Sequence, residues 1–107
     1  MAPGDFVVVL VTAGTMDEAA AIGRALVEER LAACGNVVPA VRSIYRWEGK
    51  VQDDAEALLI LKSARDRFEA LRARVLALHP YEVPEVIAFP VEAGHLPYLE
   101  WISGSTR

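Results

Sequence analysis

The sequence predicts an α+β domain, an antiparallel four-stranded sheet with two helices on one face. Three observations carry that expectation. Each of two stretches with helical apolar spacing follows a strand-like run. The turn "WEGK" folds two long alternating runs back on each other. Finally, 107 residues suffice for one domain and not for two, so residues 1–107 are read as a single unit with its core at about 6–102.

The first element is "FVVVLVT", Phe6 to Thr12, a β-branched run without polar interruption that reads as a central strand buried on both faces. "TMDE" then places Thr15 at a helix N-cap and Glu18 three residues on, the capping-box pattern. Ala19, Ile22, Leu26 and Ala33 recur near helical spacing, and the helix is expected to end near Gly35 and Asn36. From Val37 to Trp47 the pattern alternates, with Val41, Ser43, Tyr45 and Trp47 on one side and Arg42, Ile44 and Arg46 on the other. Pro39 cannot donate to a ladder and marks a bulge, an edge or the strand's start. Glu48 and Gly49 form the turn, and Val51 to Ser63 returns antiparallel, with a possible interruption at Asp53 and Asp54. So long a hairpin projects beyond the core of a small domain. "SARD" suggests Ser63 as the next cap, and Phe68, Leu71, Val75 and Leu78 form one apolar stripe. Pro80 disfavours helical backbone at His79, which ends the helix. Glu85 to Val91 is a fourth strand, and Leu96 to Ile102 a short terminal helix or strand. The order β-α-β-β-α-β with a tail is the split βαβ, ferredoxin-like arrangement.

An apolar content of 53% is high for so small a monomer and points to an oligomer. Fifteen acidic against eleven basic residues, interspersed at net charge −4, give no footprint for nucleic acid. No apolar run approaches the roughly 20 residues of a membrane span, and "MAPGDF" has no basic n-region, so a cytoplasmic protein is expected. Cys34 is the only cysteine, which excludes an intrachain disulfide and a thiolate cage.

No nucleophile elbow, phosphate loop or metalloprotease helix occurs, so no catalytic constellation is expected. Cys34 beside Ala32, Ala33 and Gly35 reads as a small buried hydrophobe rather than a reactive thiol. Asp53, Asp54 and Glu56 could hold a hard cation, yet they lack the spacing of a calcium loop, and a solvated strand entry is the plainer reading. His95 reads as an exposed turn residue. Tyr45, Trp47 and Tyr81 are aromatics of the kind that meet a ligand or another subunit. Lys62 ends an apolar strand, its ammonium directed to solvent or to an anionic ligand.

The segments "ERLAACGNVVPAVRSIYRWEGKV" and "LKSARDRFEALRARVLALHPYEVPEVIAFPVEAGHLPYLEWI" resemble the CutA family of divalent-cation tolerance proteins, over about Phe6 to Ile102. The resemblance implies a tight homotrimer similar to the nitrogen-regulatory PII proteins, with the long hairpins pairing across subunits. It also implies a link to copper and other divalent metals. The family's proposed copper ligands, a cysteine in the first strand and a His-His pair before the proline, correspond to Val11, Leu78 and His79, so one ligand of three remains. Two expectations follow. In one, a trimeric protein of divalent-metal tolerance binds copper or zinc weakly at His79, with three copies converging on the threefold axis. In the other, Tyr45, Trp47, Lys62, His79, Tyr81 and Glu85 line an inter-subunit cleft for a small anion or metabolite, as in a PII-like signalling module with an as yet unidentified ligand or protein partner.

Overall fold

A computed structural model describes all residues, Met1–Arg107. Four strands and three helices alternate as β1 (Phe6–Ala13), α1 (Met16–Glu28), β2 (Cys34–Trp47), β3 (Lys50–Ala64), α2 (Phe68–Leu78), β4 (Val86–Pro90) and α3 (Leu96–Ser105). The sheet order is β2-β3-β1-β4 and every pairing is antiparallel, the ferredoxin-like order expected from the sequence. Because strand side chains alternate between faces, Val7, Val9 and Val11 lie on one face with Leu59 and Leu61 opposite them. All five are buried under Ala19, Ile22 and Leu26 of α1 and Leu71 and Val75 of α2. The other face carries Val8, Leu10, Leu58 and Ile60, which are only half covered. Helix α3 covers one end of it, where Phe6, Ala33, Leu99 and Ile102 form a second small core.

Helix α1 starts as its sequence dictates, with Thr15 Oγ1 accepting the Glu18 N–H at 3.1 Å. The Glu18 carboxylate, however, takes the Gly14 N–H at 3.2 Å in place of the cap's own. The helix stops at Glu28, well before the expected Gly35 and Asn36, because Arg30 adopts left-handed backbone at φ 60°. Leu31 N–H then bonds Leu26 O and Arg30 N–H bonds Val27 O, the paired bonds of a Schellman ending. Arginine occupies the position that glycine usually fills. Arg30→Gly is therefore expected to raise stability by about 0.5–1 kcal/mol, the left-handed penalty relieved less the added freedom of the unfolded chain, as read by urea unfolding.

Strand β2 starts at Cys34 and slips register between Val38 and Val41, around Pro39 and Ala40, which is the bulge the proline foretells. Strand β3 runs through Asp53 and Asp54 without interruption. Its partner β1 covers it only from Ala57 onward, so residues 50–56 and 41–47 form a two-stranded arm and the chain measures 44 Å along its longest axis. Glu48 and Gly49, at φ 51° and 78°, make the two-residue turn that matches strand twist. Ser63 is not a helix cap. It is a fully buried strand residue whose hydroxyl donates to Leu31 O at 2.6 Å, and Arg65–Arg67 make a 3₁₀ turn before α2 begins at Phe68. Helix α2 ends at Leu78 with His79 in extended backbone, as Pro80 requires. The terminal segment is a helix that runs to Ser105, past Ile102.

Candidate functional site

Where β1 ends and the β2–β3 arm leaves the body of the sheet, the loop from His79 to Glu85 crosses over. A cavity of about 570 Å³ lies there, lined by Thr12 of β1, Ser43, Tyr45 and Trp47 of β2, Glu56 of β3 and Tyr81, Glu82 and Glu85 of the loop. No lysine or arginine lines it.

His79 builds this cavity from behind. The ring is 7% exposed, its Nε2–H donates to the Thr12 carbonyl at 2.7 Å, and its Nδ1 accepts the Tyr81 backbone N–H at 3.1 Å. A carbonyl only accepts and an amide N–H only donates, so the imidazole is the neutral Nε2–H tautomer with both nitrogens engaged. The Tyr81 ring lies against it, centroids 4.5 Å apart. This local clasp fixes the direction of Tyr81, whose hydroxyl donates to Glu56 Oε2 at 2.8 Å. Burial first, then the bond to Glu56, raises the Tyr81 phenol above its ordinary value, which keeps it a neutral donor. On the arm, Tyr45 donates to Asp54 Oδ2 at 2.6 Å, and that bond raises its phenol too.

Alternation along β3 decides which carboxylates reach the cavity. Asp54 and Glu56 share the face of Ser43, Tyr45 and Trp47, while Asp53 points to the opposite face and holds Arg42 through two bonds of 2.8 and 2.7 Å. The acidic run is thus split, and no three His, Cys, Asp or Glu side chains converge as inner-sphere ligands. Glu85 is the perturbed carboxyl, raised by burial and secondarily by the charge of Glu56.

Of the six residues singled out in the sequence, Tyr45, Trp47, Tyr81 and Glu85 line the cavity and His79 stands behind it. Lys62 is elsewhere. It lies opposite Cys34 and Val8, six residues along β3 from Glu56 and hence roughly 20 Å away, with its ammonium on Asn36 Oδ1. The cavity therefore lacks the cation that an anionic ligand would require. Val11 and Leu78, where the resemblance would place the other two metal ligands, pack in the apolar core. Cys34 is only partly buried, contrary to the buried hydrophobe expected, because its sulfur lies on the open face of the sheet 3.6 Å from the Tyr98 hydroxyl, and His95 is an exposed N-cap of α3. Glu56, which the sequence offers with Asp53 and Asp54 as a possible hard-cation holder but more plainly as a solvated strand entry, does line the cavity. Glu82 and Thr12 are not among the residues the sequence singles out, and the role of the Thr12 carbonyl leaves no trace in residue type.

The profile of the CutA1 divalent ion tolerance protein family matches residues 7–105. A divalent-cation tolerance protein CutA from Thermus thermophilus is 50% identical over 99 residues, 92% of this chain and 96% of that protein. The solved structure of the Thermus thermophilus protein superposes with a TM-score of 0.93 at 49% identity, covering 95% of this chain and 99% of that one. The human protein CutA is 47% identical over 98% of this chain, which spans 59% of that longer protein.

Proposed function

The chain belongs to the CutA1 divalent ion tolerance protein family, and on that premise we propose that it is a non-catalytic, homotrimeric binding module whose cleft holds a hydrated divalent cation. The observation that carries this reading is the charge of the cavity: three glutamates and no basic residue among its walls. Carboxylates suit hard cations, and a magnesium-like ion keeps several of its waters. A space of about 570 Å³ is generous for a bare ion and ample for one with its hydration shell. Glu56, Glu82 and Glu85 would receive hydrogen bonds from that shell, and Tyr81 holds Glu56 in place. Copper or zinc held directly by His79 finds less support, since both ring nitrogens are engaged within the chain.

The aromatic walls favour a second reading, an organic cation seated against Trp47 and Tyr45. Trp47→Leu separates the two: it should weaken an organic amine severalfold and leave a hydrated metal ion unaffected. Titration calorimetry with magnesium, manganese and a primary amine, on wild type and Glu56→Gln, tests the cleft itself. A binding constant reduced about tenfold or more by Glu56→Gln is expected, and an unchanged one would remove the cleft from the account.

A dependence on pH follows from Glu85. Its raised pKa means the folded chain keeps a proton where the unfolded chain has released it. Its contribution to stability therefore falls as pH rises from the ordinary carboxyl value through the raised one. A bound cation favours the carboxylate, so binding should release protons and tighten as pH rises through that same window. Calorimetry in two buffers of different ionisation enthalpy measures the released protons, and Glu85→Gln should abolish them.

The trimer is supported by what one chain leaves uncovered. Ile87 and Phe89 of β4 are 48% and 49% exposed on the open face of the sheet, beside the half-covered Leu10 and Ile60. On the arm, Ile44 and Val51 are 66% and 65% exposed. Association through this face and pairing of the arms would also remove the unpaired edges of β2 and β4.

A further inference from the structure

A second cavity, of about 630 Å³, lies at the end of the domain away from the acidic cleft, between the chain's first turn, the 3₁₀ turn before α2 and the C-terminus of α3. Its walls include Arg65, Arg67 and Arg107. The three guanidinium groups are held by backbone carbonyls through Nε–H: Arg65 on Gly4 O at 2.7 Å, Arg67 on Thr106 O at 2.6 Å and Arg107 on Ser103 O at 3.3 Å. Anchoring at Nε fixes each planar fork and leaves the terminal amino groups of Arg65 and Arg67 without acceptors in the chain.

Of the six arginines outside this cavity, Arg24, Arg42, Arg72 and Arg74 each pair with a carboxylate, while Arg30 and Arg46 do not, in a chain with more acids than bases. Nor do the three cavity arginines, although Asp5 and Asp66 stand in the same wall. Asp5 instead turns its carboxylate to the Ala2 N–H at 2.8 Å. Oriented guanidinium forks without a carboxylate partner match the geometry of a phosphate, which they bind in bidentate fashion.

We propose that this arginine-lined cavity binds a phosphate group, independently of the acidic cleft. Arg65 and Arg67 supply paired N–H donors from their free amino groups, and Arg107 supplies further positive charge. A phosphate here would tie the entry of α2 to the end of α3, which one arginine–carbonyl bond already joins.

Inorganic phosphate is the probe, exchanged for chloride at constant ionic strength while backbone amide resonances are followed by NMR. Saturable shifts confined to residues 3–6, 64–68 and 103–107 are expected, with affinity reduced at least fivefold in Arg65→Gln and again in Arg107→Gln. Arg46→Gln, on the hairpin arm, should leave the affinity unchanged. Shifts that never saturate, or that spread equally to the arm, would overturn the proposal. So would an Arg65→Gln variant that binds as wild type does. Acetate at the same concentration should bind at least fivefold more weakly, and equal binding would overturn the assignment to phosphate. Should Arg65→Gln not fold, Arg107→Gln alone decides the question, because its side chain is exposed and bonds only within the last turn.

Discussion

His79→Ala is expected to lower the unfolding free energy by about 2–4 kcal/mol, one of the largest losses available from a single polar side chain in this fold. The imidazole is the only partner of the Tyr81 N–H and bonds the end of strand β1 at Thr12 O, so its removal leaves both groups without their imidazole partner. It also vacates a site that is 7% exposed. His79→Asn, able to keep one of the two bonds, should recover part of the loss. The same variant is expected to weaken cation binding by releasing Tyr81 and, through it, Glu56. Such a loss would report position, not ligation. Electron paramagnetic resonance of the copper-loaded wild type distinguishes the two: oxygen coordination without nitrogen coupling is expected, and resolved coupling to an imidazole nitrogen would place the metal on His79.

Ile60→Glu is the second large effect, and it acts on the proposed trimer. Ile60 stands opposite Leu10 and Asn36 at the centre of the sheet face that the helices leave open. Facing copies of this strand would have to bury three unpaired carboxylates, each costing several kcal/mol. Sedimentation is expected to give a mass of three chains for the wild type and of one chain, 11.7 kDa, for Ile60→Glu. A variant that stays trimeric would move the interface off this face. Since oligomer stability is tied to subunit concentration, the thermal midpoint of the wild type should rise with dilution reversed, that is, with increasing protein concentration, and that of the variant should not.

Much of this fold is legible in local pattern. Alternation gives the first strand of the hairpin its faces, Pro39 marks a bulge, an edge or a start, of which the bulge is what forms, and Pro80 ends α2 where it ends. The misreadings have two causes, a local cap formed by a residue type that does not announce it and a long-range bond that overrides a local signal. Gly35 looked like the end of α1, but Arg30 takes the left-handed turn earlier because Leu31 and Ala32 can then fold back onto Leu26 O. Ser63 looked like a cap, but its hydroxyl bonds Leu31, 32 residues away. Within the site, the aromatics stand out by residue type, whereas Glu85 enters only through the family resemblance. The same resemblance groups Lys62 with them, and strand geometry separates it. The task of His79 was the least legible part. A histidine before a proline says that a helix ends, whereas the Thr12 carbonyl that accepts its hydrogen bond is 67 residues distant and carries no side-chain signature.

Manganese-induced broadening of the amide spectrum distinguishes a cation in the acidic cleft from one on the imidazole, because a paramagnetic ion marks the residues nearest to it at substoichiometric loading. Signals of Thr12, Glu56, Tyr81 to Val83 and Glu85 should broaden first, and Glu56→Gln combined with Glu85→Gln should restore them. Broadening centred on any other part of the chain, or persisting at the cleft in the double variant, would contradict a cation held by the cleft carboxylates.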